Sequence, residues 1–263
     1  MPPLAHASYD FGYPWWLSYG HLALAAGFAA FLALSFVLKW SLWPKLIFGV
    51  LLAWSLVAAL VIQTSLNINE TPDLPTKNFL PAGNGRVLDL GAGTGRSSIS
   101  LLEARPNATL VALDLFANSY DQHFGKGQDP QQRLLDNLKQ AGVDNRATIV
   151  TADMAKLPFE ADSFDGIISS FAVDHLSRSN LVKCLSESAR VLKPGGEFLM
   201  MILAQDRWAR FTFGPLIAHG GARPDSYWTG KLKEAGFTVL ETGNPPMTLY
   251  VLAKKPTSSA PAQ

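Results

Sequence analysis

The chain has 263 residues, enough for one α/β domain and an additional segment. Its 22 Lys and Arg residues nearly balance 21 Asp and Glu residues, and without a basic stripe this gives no reason to expect a nucleic-acid partner. Hydrophobic residues make up 48% of the chain and the mean hydropathy is +0.12, which is high for a soluble protein and directs attention to membrane segments. The single cysteine, Cys184, excludes an intramolecular disulfide and is expected to be a small buried side chain.

Two uncharged apolar runs occupy residues 22–38 and 46–62. Each gives roughly 25 Å of helix, and a few flanking residues would bring it to a ~30 Å hydrocarbon core. Aromatic residues flank the runs as they do at membrane interfaces: Trp15, Trp16, Tyr19, Trp40 and Trp43. We therefore expect a membrane anchor over 1–66, an antiparallel hairpin of helices at about 18–38 and 46–63. Buried core helices and an interfacial hairpin that does not span the membrane stay open as alternatives. A signal peptide is disfavoured, because it would need a Lys or Arg before its apolar run and none precedes Lys39.

Residues 67–85 contain polar residues and three prolines and are expected to form a linker, and the tail 256–263 is expected to be frayed. Between them, over 86–255, short apolar runs alternate with helical patterns. Strands are predicted at 86–91, 108–116, 147–152, 164–170, 197–203, 238–242 and 247–253. Helices are predicted at 95–104, 131–141, 181–192 and 228–235. This alternation predicts an α/β domain with a mostly parallel sheet, helices on both faces, and a ligand at the carboxyl ends of the strands.

A glycine loop joins the first predicted strand to the first helix of this domain. Gly91, Gly93 and Gly95 permit a tight turn and let a ligand approach the backbone, although a turn without a ligand is the alternative. Asp114 closes the next strand, where a carboxylate can accept hydrogen bonds from ribose hydroxyls or simply cap a helix. Asp153 follows the third strand, where it could face an exocyclic amine. Residues 192–196 are predicted to stop a helix and turn into the next strand.

In this order the motifs resemble the class I S-adenosylmethionine-dependent methyltransferases, especially the small-molecule branch with ubiquinone/menaquinone-type enzymes. The resemblance covers about 80–255. It rests on the segments 87–95, 113–114, 152–154, 164–176 and 190–196. It implies a Rossmann-like, seven-stranded sheet whose last strand is antiparallel, here preceded by two transmembrane helices. It also implies S-adenosyl-L-methionine as cofactor and no metal.

The resemblance assigns cofactor-binding roles by position. The methionine end would be held by Asp89 with the backbone of Gly91, Gly93, Thr94 and Gly95. The ribose would be held by Asp114, the adenine flanked by Leu115 and Met154, its amino group bound by Asp153, and the pocket lined by Ser169 or Ser170.

The acceptor cannot be carried over from the family. An insertion at 116–128 is longer than the usual turn, and Asp174-His175 stands where the family often has two histidines. Candidate bases are His175, Asp174, His123 and Tyr120, each of which has a structural alternative such as packing or capping. The pair Tyr227 and Lys231 mimics an oxidoreductase motif, but the nucleotide loop that would match it is absent.

The expected activity is methyl transfer to a small, membrane-embedded acceptor of quinone, lipid or isoprenoid type, because an anchored domain acts on what the bilayer holds. Alternatives are a soluble acceptor with the anchor serving localisation, a non-catalytic cofactor-binding membrane module, and a nicotinamide oxidoreductase. The segments 116–128 and 207–227 are predicted to form a lid over an apolar pocket. Lys39 and Lys45 favour a cytoplasmic hairpin connection. The cofactor argues more strongly for a cytoplasmic catalytic domain, so we predict a multi-pass membrane protein oriented that way.

Overall fold

The computed structural model describes residues 9–116, 129–214 and 223–257. The seven strands are β1 Asn84–Leu90, β2 Asn107–Asp114, β3 Ala147–Thr151, β4 Phe164–Ser170, β5 Leu192–Leu203, β6 Thr238–Gly243 and β7 Thr248–Lys254. The α-helices within the described ranges are α1 Trp15–Val37, α2 Leu42–Val61, α3 Arg96–Ala104, α4 Pro130–Gln140, α5 Arg178–Val191, α6 Arg207–Phe213 and α7 Asp225–Glu234. The predicted strands and helices of the domain are all present, with shifted ends.

The strands form one sheet in the order β3-β2-β1-β4-β5-β7-β6. Strands β1 to β5 pair in parallel, whereas β7 runs antiparallel to both β5 and β6. The expectation of a seven-stranded, mostly parallel sheet with an antiparallel last strand is therefore confirmed. The chain order reverses between β1 and β4, so the carboxyl ends of these two strands flank the crevice where such sheets bind ligands.

The predicted turn at 192–196 is instead the beginning of β5. Leu192 pairs with Phe164, and the register then shifts before Glu197 pairs with Gly166. Gly195 has a φ of +80° and its N–H donates to the carbonyl of Lys255, so the Pro-Gly-Gly sequence is accommodated as an irregularity in a paired strand. The neighbouring strands supply hydrogen bonds that a free turn would lack.

The residues at 67–83 form neither a helix nor a strand, but they pack against the domain more closely than a free linker would. Phe79 is wholly buried, and its carbonyl accepts a hydrogen bond from Nε of Arg105. A Cβ at Gly166 would lie 3.0 Å from the Phe79 ring, so glycine in β4 leaves the space that the ring fills. Further along, Thr76 and Asn78 both donate to the carboxylate of Glu241.

The two N-terminal helices, Trp15–Val37 and Leu42–Leu66, are long and apolar enough to cross a membrane, and their most apolar 18-residue windows have mean hydropathies of 1.9 and 2.4. Both begin a turn earlier than predicted, and a π-helical turn, Ile62–Leu66, extends the second. In these two helices small side chains are buried and large apolar ones are exposed, which is the opposite of a core helix in a soluble protein. The buried side chains of α1 are Ser18, Ala25 and Ser35, whereas the exposed ones of the two helices include Phe31, Phe36, Trp43, Val50 and Leu60. This distribution disfavours the interpretation as buried core helices.

The hairpin is joined to the domain at its base. The carbonyl of Ser18 accepts a hydrogen bond of 2.7 Å from Nε2 of Gln63, which closes the two helices on each other. Nε1 of Trp54 donates to the carbonyl of Phe211 in α6 at 2.9 Å. Val61 packs in one apolar cluster with Ala209 of α6 and Met247. The segment at 207–213, predicted to be part of a lid, is thus a helix packed against the hairpin, while residues 117–128 and 215–222 of the predicted lid lie outside the described ranges.

Candidate active site

The glycine loop follows β1 and leads into α3. Gly91, Gly93 and Gly95 have φ angles of +76°, +55° and +96°, in the region that favours glycine. A Cβ at Gly91 would lie 2.3 Å from Cβ of Ala172, and one at Gly95 would lie 2.6 Å from Leu134. Packing alone therefore requires glycine at the two ends of the loop, whether or not a ligand is bound.

Two carboxylates lie beside this loop. Asp114, at the end of β2, accepts hydrogen bonds from the N–H of Gly93 at 3.0 Å and from that of Phe116 at 3.2 Å. Asp89, in β1, is wholly buried, and its Oδ2 accepts from the hydroxyls of Ser97 and Ser98. Its Oδ1 has no hydrogen-bond partner among the described residues. Burial raises the pKa of Asp89 to about 6, against the opposing effect of the two serine hydroxyls.

The described side chains leave a cavity of about 50 Å³ at the glycine loop. It is lined by Tyr13, Gly91, Ala92, Gly93, Thr94, Arg96, Ser97, Ser170 and Phe171. Of the lining residues outside the loop 91–95, sequence reasoning missed four: Tyr13, Arg96, Ser97 and Phe171. Tyr13 comes from the segment before α1, and burial raises the pKa of its hydroxyl, which keeps it protonated. Phe171 follows β4 with a φ of +51°, a strained conformation that is common at functional sites.

The segment before α1 reaches this cavity because it is part of the core. Phe11 is 3% exposed and packs with residues of α3 and α4. Its carbonyl accepts a hydrogen bond from the hydroxyl of Thr94 in the glycine loop. Asp10 is bound through its backbone to the side chain of Asn137 and forms an ion pair with Arg133. No local sequence pattern indicates this placement.

The remaining predicted cofactor residues differ in where they point. Cε of Met154 lies 3.3 Å from the position that a Cβ at Gly91 would occupy, so this side chain lies beside the glycine loop. Ser170 lines the cavity, whereas the hydroxyl of Ser169 is buried and donates to the carbonyl of Leu90. Oδ1 of Asp153 accepts from the N–H of Ala155 in a local turn. Leu115 is exposed at the end of β2.

The two candidate bases that the structure describes, Asp174 and His175, do not line the glycine-loop cavity. Asp174 and His175 lie in a 3₁₀ turn, Val173–His175, after the carboxyl end of β4. Asp174 lines a different cavity of about 170 Å³ with Arg178 and Tyr227. Burial raises the pKa of its carboxyl, and its Oδ1 is unpartnered within the described ranges. His175 is exposed. The candidates His123 and Tyr120 lie outside the described residues.

Comparison with known proteins identifies the domain that carries this site. Residues 87–196 match the family model of a methyltransferase domain. A demethylmenaquinone methyltransferase of Clavibacter sepedonicus is 36% identical over 48% of this chain and 44% of its own length. Residues 87–196 therefore form a methyltransferase domain. A ubiquinone/menaquinone biosynthesis C-methyltransferase of Allorhizobium ampelinum is 30% identical to the chain over 57% of it and 58% of the relative. The chain thus spans about half the length of these curated relatives.

Solved structures share the fold of the methyltransferase domain. A S-adenosylmethionine-dependent methyltransferase from Methanosarcina mazei superposes with a TM-score of 0.56 at 15% identity, over 71% of this chain and all of the other. A family 2 O-methyltransferase from Planctomyces limnophilus gives a TM-score of 0.54 at 16% identity, over 80% of this chain and 69% of the other. At such identities the likeness extends to the fold alone.

The residues of the methyltransferase domain fit S-adenosylmethionine, its cofactor. The unpartnered Oδ1 of Asp89 suits a cationic ligand, and Asp114 stands at the strand end where ribose hydroxyls are bound in related sheets. The cavity of about 50 Å³ is much smaller than the ~300 Å³ or more of small-molecule sites. Among the lining residues Tyr13 is the one outside residues 87–196, so a shift of its segment would enlarge the cavity without moving the domain.

Proposed function

We propose that this chain is a membrane-anchored S-adenosylmethionine-dependent methyltransferase whose acceptor is small and lipophilic, of quinone, lipid or isoprenoid type. One observation carries the proposal: both ends of the apolar hairpin meet at the cofactor loop. Before α1, Tyr13 lines the glycine-loop cavity. After α2, the carbonyls of Leu66, Asn67 and Glu70 accept hydrogen bonds from Arg96, the first residue of α3. An acceptor dissolved in the bilayer would thus lie beside the methyl donor.

The membrane assignment is supported by the surface of the hairpin. Small residues face its interior and large apolar side chains face outward, as in helices packed within lipid. Trp15 and Trp16 at one end and Trp40 and Trp43 at the other suit the two interfaces. Because S-adenosylmethionine is a cytoplasmic metabolite, we place the domain on the cytoplasmic side, against the weak bias of Lys39 and Lys45.

The chemistry divides between the cofactor and the chain. When bound, S-adenosylmethionine supplies an electrophilic methyl group on a sulfonium. The residues of the chain align the acceptor behind that methyl and exclude water. Asp89, Asp114 and the glycine loop would hold the cofactor so that its methyl carbon could take the electron pair of the acceptor atom while sulfur kept the electrons of the broken sulfur–carbon bond. A proton lost from an oxygen or carbon acceptor goes to a base, for which Asp174 and His175 are the described candidates.

A water-soluble acceptor is the second candidate. The cavity beside Asp174 favours it, because Arg178, Arg223 and Tyr227 give that cavity a polar lining. The relatives whose names specify quinone substrates favour the lipophilic class. The sequence similarity covers only part of those proteins, so the substrate itself must be measured.

Methyl transfer from labelled S-adenosylmethionine decides between the two candidates. The purified full chain is incubated with a lipid extract of native membranes or with the soluble fraction of the same cells, and the products are partitioned between organic solvent and water. Label in the organic phase is expected. Label in water-soluble products alone would contradict the proposed acceptor class, and a Gly93→Val variant, whose side chain would occupy the glycine loop, serves as the inactive control.

A further inference from the structure

A second cavity, here called the hairpin cavity, lies where the hairpin meets α6. Its volume is about 520 Å³, within the range of small-molecule sites. Most of its wall is apolar or aromatic, from Trp16, Leu17, Leu24, Trp54, Ile62 and Phe213. A cavity of this size and lining accepts a ring-sized apolar group rather than a water molecule.

Two polar side chains interrupt the apolar wall of the hairpin cavity, His21 from α1 and Thr212 from α6. Thr212 is 2% exposed, and its hydroxyl has no hydrogen-bond partner within the described ranges. Nδ1 of His21 is likewise buried without a partner there, and the imidazole lies close to the backbone of Thr212. Buried polar atoms are normally hydrogen-bonded, and both residues line one cavity, so a rotation of each side chain would bring its polar atom to a ligand bound there. An ionisable side chain in an apolar helix also marks a functional position.

The chemistry of the lining selects the occupant. Trp54 meets the His21 ring edge-on at a centroid distance of 5.1 Å, which forms an aromatic wall suited to a flat ring. The lining residues that the structure describes include no Lys, Arg, Asp or Glu, which disfavours a phosphate or carboxylate head group. His21 and Thr212 suit a ring that carries a hydroxyl or carbonyl oxygen. Leu24 continues into the exposed apolar face of α1, along which a hydrocarbon tail can extend into the bilayer.

The hairpin cavity is connected to the cofactor loop along the chain. Trp16 lies three residues after Tyr13, which lines the glycine-loop cavity. Ile62 lies about one helical turn before Leu66, whose carbonyl binds Arg96. We infer that the hairpin cavity binds the methyl acceptor, a lipid-soluble molecule with an oxygen-bearing ring, and that His21 and Thr212 hydrogen-bond its ring oxygens. This inference rests on the proposed function.

The test uses the full chain in detergent and a decyl-substituted benzoquinol as probe, with binding followed by quenching of tryptophan fluorescence. Thr212→Val keeps the shape of the side chain and removes the hydroxyl, and His21→Phe keeps a ring against Trp54. Each variant is expected to weaken probe binding by about three- to tenfold, the effect of one neutral hydrogen bond. Thr212→Val should not lower the melting temperature, because its hydroxyl has no partner among the described residues, and neither variant should change the affinity for S-adenosylmethionine.

Ser55→Ala is the matched control. The hydroxyl of Ser55 is also buried in the hairpin without a described partner, but Ser55 does not line the cavity. Its loss should leave probe binding unchanged. Failure of the probe to bind, or equal binding by the wild type, Thr212→Val and His21→Phe, would overturn the site. Tight, variant-sensitive binding without any label in the lipid extract would overturn the proposed function instead, so the two failures are distinguishable.

Discussion

Among single residues, Asp89 shows how the site opposes stability. Its carboxylate is wholly buried beside the carboxylate of Asp114, and one oxygen has no partner in the described structure. A cationic ligand would relieve both the burial and the repulsion, which is why such a group can be retained in a cofactor site. Asp114 differs, because backbone N–H groups already bind both of its oxygens.

The raised pKa of Asp89 predicts a pH-dependent stability. Between about pH 4 and pH 6 the folded state keeps a proton that the unfolded chain has lost, so the free energy of unfolding falls as the pH rises through this window and levels off above it. A shift of about two pKa units corresponds to about 3 kcal/mol. Asp89→Asn should therefore flatten this slope in thermal melts, raise the melting temperature at pH 7.5, and weaken cofactor binding. Asp153→Asn is the control, and parallel melting curves for wild type and Asp89→Asn would contradict the prediction.

The placement of Asp114 predicts a loss of cofactor affinity on its removal. Asp114→Ala should weaken the binding of S-adenosylmethionine by roughly 1–3 kcal/mol in calorimetry, since it removes a charged hydrogen-bond acceptor next to the glycine loop. Ser169→Ala is a matched comparison, because Ser169 binds the carbonyl of Leu90 and does not line the cavity. It should lower the melting temperature and leave the affinity unchanged. An unaltered affinity in Asp114→Ala would show that this residue does not bind the cofactor.

Among the elements, α3 connects the cofactor loop to the rest of the chain through an arginine at each end. Arg96 is buried at its beginning and donates to carbonyls of the segment that follows the hairpin. Arg105, just after its end, donates to the carbonyls of Phe79 and Lys77. Both arginines use the fork of the guanidinium to bind several carbonyls at once, which a lysine cannot reproduce. They therefore fasten the same irregular segment at two points, one near the site and one remote from it.

These two arginines predict separable effects. Arg96→Lys should reduce cofactor affinity by about tenfold, the loss of one or two charge-assisted hydrogen bonds, because it releases the base of the hairpin from the glycine loop. Arg105→Lys should lower the melting temperature to a similar degree and leave the affinity within about twofold. Calorimetry and thermal melts on the full chain measure both. Equal affinities for the two variants would mean that the attachment of the hairpin does not influence the cofactor site.

At the scale of the whole molecule, the hairpin packs against the domain and is not connected to it by a flexible linker alone. The segment before α1 contributes Phe11 to the core, α6 packs against α2, and the irregular segment after the hairpin buries Phe79. Because the chain enters and leaves the hairpin at neighbouring points, Ser18 and Gln63, the hairpin is separable in principle from the residues that complete the site.

Two deletions test this arrangement. Replacing residues 19–62 with about six Gly and Ser residues should give a protein that keeps the Tyr13 segment and binds S-adenosylmethionine, but transfers no label to a lipid extract. Deleting 1–66 removes Phe11 and Tyr13 as well, and should weaken cofactor binding by at least about tenfold. Calorimetry on both proteins checks the affinities. Equal cofactor affinity in the two would show that the segment before α1 has no role in the site.

Local sequence patterns determined much of this protein. The alternation of apolar runs with helical patterns predicted every strand of the domain, because the period of side-chain burial differs between strands and helices. The spacing of Gly91, Gly93 and Gly95 located the glycine loop, and the strand ends located Asp114 and Asp153. The two uncharged runs predicted two long apolar helices, because an unbroken apolar run of this length favours a helix.

The tertiary structure alone decided which distant residues complete the sites. Tyr13 joins the glycine loop from a segment about 80 residues earlier, and Phe171 does so through a strained backbone that no residue preference indicates. Ser169 and Ser170 were equivalent by position, and only the pairing of β4 with β1 turned one to the carbonyl of Leu90 and the other to the cavity. His21 and Thr212 are separated by most of the chain and share a cavity because α6 packs on the hairpin. Such contacts depend on how elements pack together, which the periodicity of each element does not encode.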